Sequence, residues 1–452
     1  MKLEFLTTPT TDKASFFGKG FHVDWILFLS TILIVATGIL MIYSTEISLG
    51  HGYALKQGIA TFIGLVGMIF LMVLPYQIFR TYTKSLYILM IFVLIGVLMF
   101  GVTLRATRGW FQFGPFFIQA PEVAKILFIL SVAGYLDQRI EWYSPKSLVI
   151  PFLLAGFPIL LILAEPDLSS SLVFFPATLV MFYVAGARAL HLLSLCLVGF
   201  IATGIPLIST YFRLLGPSLK DHSILFFLSK ALSGGLNSLW FFLGVCGFLI
   251  VCWWFLRKMR VYIPSLYLWV TLFLISLGSL GAIATEKVIK EYQRKRLVAF
   301  VNPELDPLGG GYNVRQSQIA IGSGQIFGKG YGNGTQSRLG FLPSRHTDFI
   351  FSVIGEELGF FRSLFILFLY FLIIWRSFEI SLVSRDRFGS LVSAGFGAMF
   401  AFYALLNLGM TMGLAPVAGV PLPMLSYGGS SILSSLFSIG IVLSVHWRRY
   451  LL

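Results

Sequence analysis

Apolar residues run through this chain in long blocks of the length a membrane span requires. Twelve stand out, at 25–44, 59–75, 86–102, 123–136, 148–164, 168–187, 192–208, 239–256, 263–284, 349–374, 390–411 and 432–445. About 20 mainly apolar residues carry an α-helix across the hydrocarbon core of a bilayer. The pattern predicts an all-α, polytopic membrane protein with about twelve spans, built as a single integral membrane domain over 1–452. Some blocks are short and 349–374 is long, which calls for tilt or for a helix that starts inside a cavity. The first block begins at Trp25, is as long as a full span and lacks a small-residue exit of the A-x-A kind. It is expected to remain as the first helix, not to leave as a signal peptide.

Composition agrees with the pattern. Of 452 residues 57% are hydrophobic and only 12% charged, against roughly 25% charged in an ordinary soluble domain. So few charges cannot cover several apolar cores, which excludes a soluble multidomain enzyme. A net charge of +14 would suggest nucleic acid in a soluble chain. Here the cations are scattered between apolar blocks, so membrane lipid with anionic headgroups is the expected counterpart and nucleic acid is not. Cys196, Cys246 and Cys252 all lie inside apolar blocks, which suggests neither a disulfide framework nor a thiolate metal site. With the N-terminus inside, the inner tails and loops hold sixteen Lys and Arg and the short outer loops six. The positive-inside rule then puts both termini on the cytoplasmic side.

One outer segment, 286–347, is far longer than the usual helix connection of about 2–8 residues. It is Gly-rich and basic, yet it carries Phe300, Tyr312, Ile319, Ile326, Phe327 and Tyr331, which want burial. An ordered, functional loop covering a cavity is therefore expected over a disordered one. Its start concentrates Arg294, Lys295 and Arg296, and its centre sets Asp306 before Pro307 and the glycines 309–311. Cations with one outward-facing carboxylate suit transfer of a sugar from a lipid diphosphate. The leaving group is already a good anion and needs cations, not a protonating acid. The acceptor hydroxyl needs one base, where glycosidases use two carboxylates. The same Asp–Pro pair fits an ordinary turn, so spacing alone leaves both readings open.

Ionisable groups in or beside spans are expensive and are functional candidates by default. Glu122 and Lys125 open the fourth span at i, i+3 on one helical face; Glu165 and Asp167 sit in the tight turn between the fifth and sixth; Glu356 and Glu357 lie near the start of the tenth, with Arg362 just beyond. For Glu122 with Lys125, and for Glu357 with Arg362, the competing reading is a local ion pair or a helix-end charge that snorkels to the interface. The glycines between Gly322 and Gly334 lack the spacing and the strand–helix frame of a phosphate loop. His346 has no partners for a zinc site, so no metal or other cofactor is evident. Proline and glycine around Pro423, Ser426, Gly428 and Gly429 suggest non-helical backbone at membrane depth, tolerated only where buried or cavity-lining; these residues are expected to shape a cavity.

Two stretches carry a resemblance. NPELDPLGGGYNVRQSQIAIGSGQIFGKGYGNGTQSRLGFLPSRHTDFIFSVIGEELG at 302–359 and NLGMTMGLAPVAGVPLPMLSYGGSS at 407–431 closely resemble the two signature regions of the SEDS family, the shape, elongation, division and sporulation proteins. Weaker echoes are the IYS at 42–44, Gln119, Glu122 and Lys125 at their spacing, and Pro-Asp-Leu at 166–168. Through Thr335, Gln336, Ser337, Arg345 and His346 the chain is more similar to the elongation branch than to the division branch. The resemblance implies a peptidoglycan glycosyltransferase that polymerises lipid II and releases undecaprenyl diphosphate on the outer face of the cytoplasmic membrane. It also implies a class B penicillin-binding protein as transpeptidase partner.

Residue by residue, the resemblance assigns Asp306 as the catalytic carboxylate and Glu122, Lys125, Arg294, Arg296, Lys329, Gln316 and Ser317 to substrate binding. The chain departs from the pattern at Ala120–Pro121, at Ser169–Ser171, which replace a Gly-Thr-Ala, and at Arg362. It also departs in 209–285, a segment expected to be an insertion that adds two spans to a family-type ten. A lipid II flippase and a non-catalytic scaffold for the transpeptidase are the competing classes.

Overall fold

The structure, a computed structural model, describes residues 23–47, 52–104, 107–114, 116–138, 149–215, 236–259, 265–288, 300 and 309–450. A helix stands at each of the twelve predicted blocks. In chain order the elements are α1 (Trp25–Glu46), α2 (Tyr53–Val73), α3 (Gln77–Thr81), α4 (Thr83–Phe100), β1 (Val102–Leu104), β2 (Thr107–Phe113), β3 (Phe116–Gln119), α5 (Ala120–Asp137), α6 (Val149–Ala164), α7 (Leu168–Val184) and α8 (Ala189–Leu215). There follow α9 (Leu236–Lys258), α10 (Ser265–Val288), α11 (Gly310–Ser323), α12 (Thr335–Arg338), α13 (Ile350–Val383), α14 (Arg387–Met412) and α15 (Gly429–Trp447). Among the described residues six helices, α1, α2, α4, α13, α14 and α15, are long and apolar enough to cross a membrane.

Burial sorts the helices. The most apolar windows of α14 and α15 are 72% and 78% buried, against 28% for α2 and 22% for α4. The first two form the centre of the bundle and the last two face lipid. Around the centre, α13, α7 and α5 pack on α14, α2 packs on α15, and α1 packs on α13. The helices of the segment expected as an insertion, α9 and α10, attach at the periphery, with α10 lying along α8.

The two ends of the bundle differ in chemistry. At the end predicted to be cytoplasmic, Asp24 caps α1 by accepting from the Leu27 amide at 3.0 Å and also takes the Arg376 guanidinium of α13 at 2.6 Å. Arg80 meets Asp137 there at 2.6 Å. At the other end the chain builds non-helical structure. The sequence pattern did not assign the three-stranded antiparallel sheet β1–β2–β3, in which Trp110 lies opposite Gln119 and Phe113 opposite Phe116. Its strands are too short, and β1 too close to the apolar α4, to break a hydropathy window.

The described part of the predicted outer loop is folded and includes α11 and α12. Its glycine-rich stretch docks on α13, which is not one straight rod. Gly359 breaks the helix with φ 77°, and the amide of Phe360 turns to the Gln325 carbonyl at 2.9 Å. The backbones approach so closely that a Cβ on Gly359 would lie 2.2 Å from the Gly328 nitrogen. This accounts for the excessive length of the 349–374 block: its first turns hold the outer segment and the rest spans.

Candidate active site

At the sheet-bearing end of the bundle lies a cavity of about 620 Å³. Its wall is drawn from β2 and β3, the start of α5, the α6–α7 turn and the start of α7, residues 344–348, α14, the non-helical stretch 416–428 and the first residues of α15. Glu122, Asp167 and Asp348 contribute carboxyl groups to this wall, and Trp110, His346, Tyr403 and Tyr427 contribute rings.

The floor is a buried polar relay. Pro121 suits the first turn of α5, where its missing N–H is not needed, and the next residue, Glu122, sits in the turn that favours an acid. Glu122 Oε1 meets Lys125 Nζ at 2.7 Å, and Oε2 accepts from Ser434 Oγ of α15 at 2.5 Å. Lys125 Nζ donates to the hydroxyl of Tyr403 on α14 and stands 4.4 Å from the centre of its ring. Glu122 and Lys125 are 3% and 4% exposed, so neither snorkels. The local ion pair exists, but it is locked inside the bundle between three helices. A buried pair left without one member strands a charge, at a cost of about 3–5 kcal/mol.

The α6–α7 turn forms one side. Asp167 caps α7, accepting from the Ser170 amide at 3.0 Å, the hydroxyls of Ser169 and Ser170 at 2.8 Å each, and Gln119 Nε2 of β3 at 2.9 Å. The serines that depart from the family pattern thus serve as donors to this carboxylate. Two residues earlier Glu165 is fully buried, and neither of its carboxyl oxygens has a hydrogen-bond partner among the described residues. Burial, with the Asp167 charge adding to it, pushes its pKa up to about 9. The strand β2 passes directly over it: Glu165 carbonyl accepts the Arg108 amide at 3.2 Å, and a Cβ on Gly109 would lie 2.9 Å from Glu165 Oε2.

The opposite side is the non-helical stretch between α14 and α15. Its polar backbone is satisfied from within. Asn407 Nδ2 donates to the carbonyls of Asp348 and Val420 at 2.9 and 2.6 Å, and Ser426 Oγ donates to the Thr347 carbonyl at 2.7 Å while accepting the Leu422 amide at 2.8 Å. Gln57 bonds the Ser426 carbonyl and the Gly428 amide. Buried non-helical backbone at this depth requires such partners. Pro423 and Ser426 lie in this buried scaffold, Gly428 reaches the cavity wall, and Gly429 is the first residue of α15. Tyr53 stacks on His346 with ring centres 4.8 Å apart.

Other predicted site residues stand elsewhere. Ser317 on α11 is fully buried, bonding Ser352 Oγ and the Thr411 carbonyl at 2.6 Å each, and so joins α11, α13 and α14. Gln316 beside it is half-buried. Lys329 bonds Glu356 Oε1 at 2.8 Å and Thr335 Oγ1 at 2.7 Å, away from the cavity. Glu356 also accepts the amides of Gln336 and Ser337, and Glu357 accepts Ser44 Oγ and the Gly332 amide. Of the competing readings for Glu357 and Arg362, the local ion pair is not formed: Glu357 makes these bonds instead, and Arg362 is exposed. Asp306, Arg294 and Arg296 lie outside the described residues. No group of three His, Cys, Asp or Glu able to hold a metal occurs among the described residues. Sequence reasoning missed Trp110, Tyr403 and Asp348 as wall residues. A tyrosine inside an apolar block or a tryptophan in a short strand gives no periodic signal.

Residues 24–229 and 238–451 match the family model described as cell cycle protein, FtsW/RodA/SpoVE. The chain is 34% identical over 442 residues to the peptidoglycan glycosyltransferase RodA of Treponema pallidum, covering 94% of this chain and 98% of that protein. It is 31% identical over 445 residues to the peptidoglycan glycosyltransferase MrdB of Escherichia coli K12, covering 98% and 99%. Among solved structures, a chain from work on the structural coordination of polymerization and crosslinking by a peptidoglycan synthase complex aligns with a TM-score of 0.64 at 26% identity, covering 95% of this chain and 99% of that one. The rod shape determining protein RodA of Thermus thermophilus aligns with a TM-score of 0.58 at 24% identity over 95% and 98%, a likeness of fold.

Proposed function

This chain belongs to the FtsW/RodA/SpoVE family of cell cycle proteins, the SEDS proteins, and from that premise we propose that it is a multi-pass membrane peptidoglycan glycosyltransferase of the elongation type. The observation that carries the reading is end-to-end similarity to RodA and MrdB, joined to a cavity lined by Glu122, with Lys125 paired to it behind the wall. In this reading lipid II is donor and acceptor. Asp306 takes the proton of the acceptor 4-hydroxyl as that oxygen attacks the anomeric carbon of the donor's muramyl sugar. The electron pair of the breaking bond leaves with undecaprenyl diphosphate, whose charge Arg294 and Arg296 stabilise. Lys329 joins them only if its ammonium lets go of Glu356. The site faces outward from the cytoplasmic membrane, and a class B penicillin-binding protein is the transpeptidase partner.

The test is polymerisation of labelled lipid II by the purified protein in detergent. Wild type is expected to make glycan polymer, and Asp306→Ala to lose it by at least about 100-fold, the upper effect of a positioned acid or base being about 10⁴-fold. Equal polymer from both proteins would remove Asp306 from the mechanism. Lipid II moved across a vesicle membrane with no polymer from wild type would favour a flippase.

A further inference from the structure

The relay on the cavity floor ends on a hydroxyl, and the direction of its hydrogen bonds is dictated by chemistry. A lysine ammonium carries donors and no acceptor. Towards Lys125 the Tyr403 oxygen can therefore only accept, and the phenolic O–H must point elsewhere. Among the described residues it donates to no acceptor, and the charges that act on it are the carboxylates of Glu122 and Asp167. The side chain is buried at 4% exposure, yet it lines the cavity next to Glu122, while Lys125 itself is behind the wall. Lys125, itself paired with Glu122, thus fixes which way the Tyr403 O–H points and polarises it locally. A hydroxyl that accepts from a cation is a stronger donor, since bonds in a chain reinforce one another and low local dielectric amplifies them.

The position is rigid as well as polarised. Tyr403 lies one helical turn before Asn407, the residue that clamps the carbonyls of Asp348 and Val420 and so fixes two segments of the same cavity wall. Glu122 holds Lys125 from the other side at 2.7 Å and is itself fixed by Ser434. A donor with this support loses little freedom when a substrate oxygen arrives.

We propose that Tyr403 is a catalytic residue: its hydroxyl, oriented and polarised by Lys125, donates a hydrogen bond to an anionic oxygen of the lipid diphosphate substrate in the cavity. Lys125 and Glu122 are then positioning residues that act through it. Tyr403 keeps its proton throughout. The bond from acceptor oxygen to anomeric carbon forms, the bond from that carbon to the diphosphate oxygen breaks with its electron pair, and the Tyr403 hydrogen bond tightens as negative charge grows on the departing group.

The inference rests on the glycosyltransferase reading, and the experiment separates the two. Tyr403→Phe keeps the ring, its packing and the ring contact with the Lys125 ammonium while deleting the donor. With purified protein and labelled lipid II, kcat is expected to fall about 10- to 100-fold, the worth of one hydrogen bond to a charged group, with KM changed less than threefold, and the melting temperature to fall modestly because buried Lys125 loses one acceptor while the protein stays folded. Wild type that makes polymer beside a Tyr403→Phe variant of equal kcat overturns this inference alone. Wild type that makes none overturns the functional reading and this inference with it. If Tyr403→Phe does not fold, 3-fluorotyrosine and 3,5-difluorotyrosine placed at 403 keep the hydroxyl and grade its acidity. A kcat that tracks acidity supports the donor role, and a flat kcat overturns it.

Discussion

Glu165 is the residue whose chemistry is most at odds with its surroundings. It is fully buried, both oxygens lack partners, and its pKa is pushed from 4.5 up to about 9 by burial and by Asp167. The folded protein therefore holds a proton that the unfolded chain releases once pH exceeds its ordinary carboxyl range. Stability falls as pH rises between 4.5 and about 9, by about 1.4 kcal/mol per pH unit from this group alone. Below that window the group contributes no slope. Glu165→Gln, neutral and of equal size, is expected to flatten the fall in melting temperature between pH 5 and pH 8 relative to wild type, measured in detergent. A variant that keeps the wild-type slope would assign the titration to another group. The sequence placed Glu165 in a turn beside Asp167, but the difference in their surroundings was not legible there. It comes from β2, which lies on Glu165 and leaves it dry, while four donors surround Asp167.

Among the elements, the glycine-rich stretch and the broken helix α13 form one unit. Glu356 and Glu357 are buried carboxylates in this helix just before its break, and the stretch wraps them with amides, hydroxyls and Lys329. The close backbone approach has a measurable consequence. Gly328 has φ 81°, and a Cβ there would lie 2.2 Å from the Glu357 carbonyl oxygen; Gly340 has φ 78° with nothing within 4 Å. Gly340→Ala should cost only the left-handed penalty, about 1–2 kcal/mol. Gly328→Ala should cost more and undock the stretch, seen as a lower melting temperature and faster proteolysis between Gln325 and Leu339. Equal effects of the two substitutions would argue against docking as the role of Gly328. The spacing of the glycines in this stretch, with no strand–helix frame around them, excluded a phosphate loop from sequence alone. Its actual partner, a pair of carboxylates that follows it in the chain, needed the fold, because Lys329 and Glu356 meet only where the stretch folds back onto α13 beside its break at Gly359.

For the whole molecule, the cation count and the architecture agree on which segments share a side. The sheet, the α6–α7 turn, residues 344–348 and the stretch 416–431 meet at one cavity, and all of them fall on the outer side when both termini are inside. In a background without Cys196, Cys246 and Cys252, Gln112→Cys is expected to react with a membrane-impermeant maleimide from outside intact cells. Arg385→Cys, between α13 and α14, should react only after lysis. The opposite pattern would invert the orientation. The α2 helix marks the limit of the hydropathy reading, which began the second block at 59, whereas the helix begins at Tyr53. The missing turns hold Lys56 and Gln57, polar residues that end a hydropathy window, yet Gln57 is buried because it bonds the stretch leading into α15. The sequence by itself determined the membrane, the helical class, the approximate position of the spans and the family, because lipid imposes one length and one backbone solution on every crossing. Only the tertiary structure decided which polar groups meet. Lys125 with Tyr403 and Lys329 with Glu356 depend on contacts between distant helices and loops, where burial raises the cost of every unpaired charge and so selects the partners.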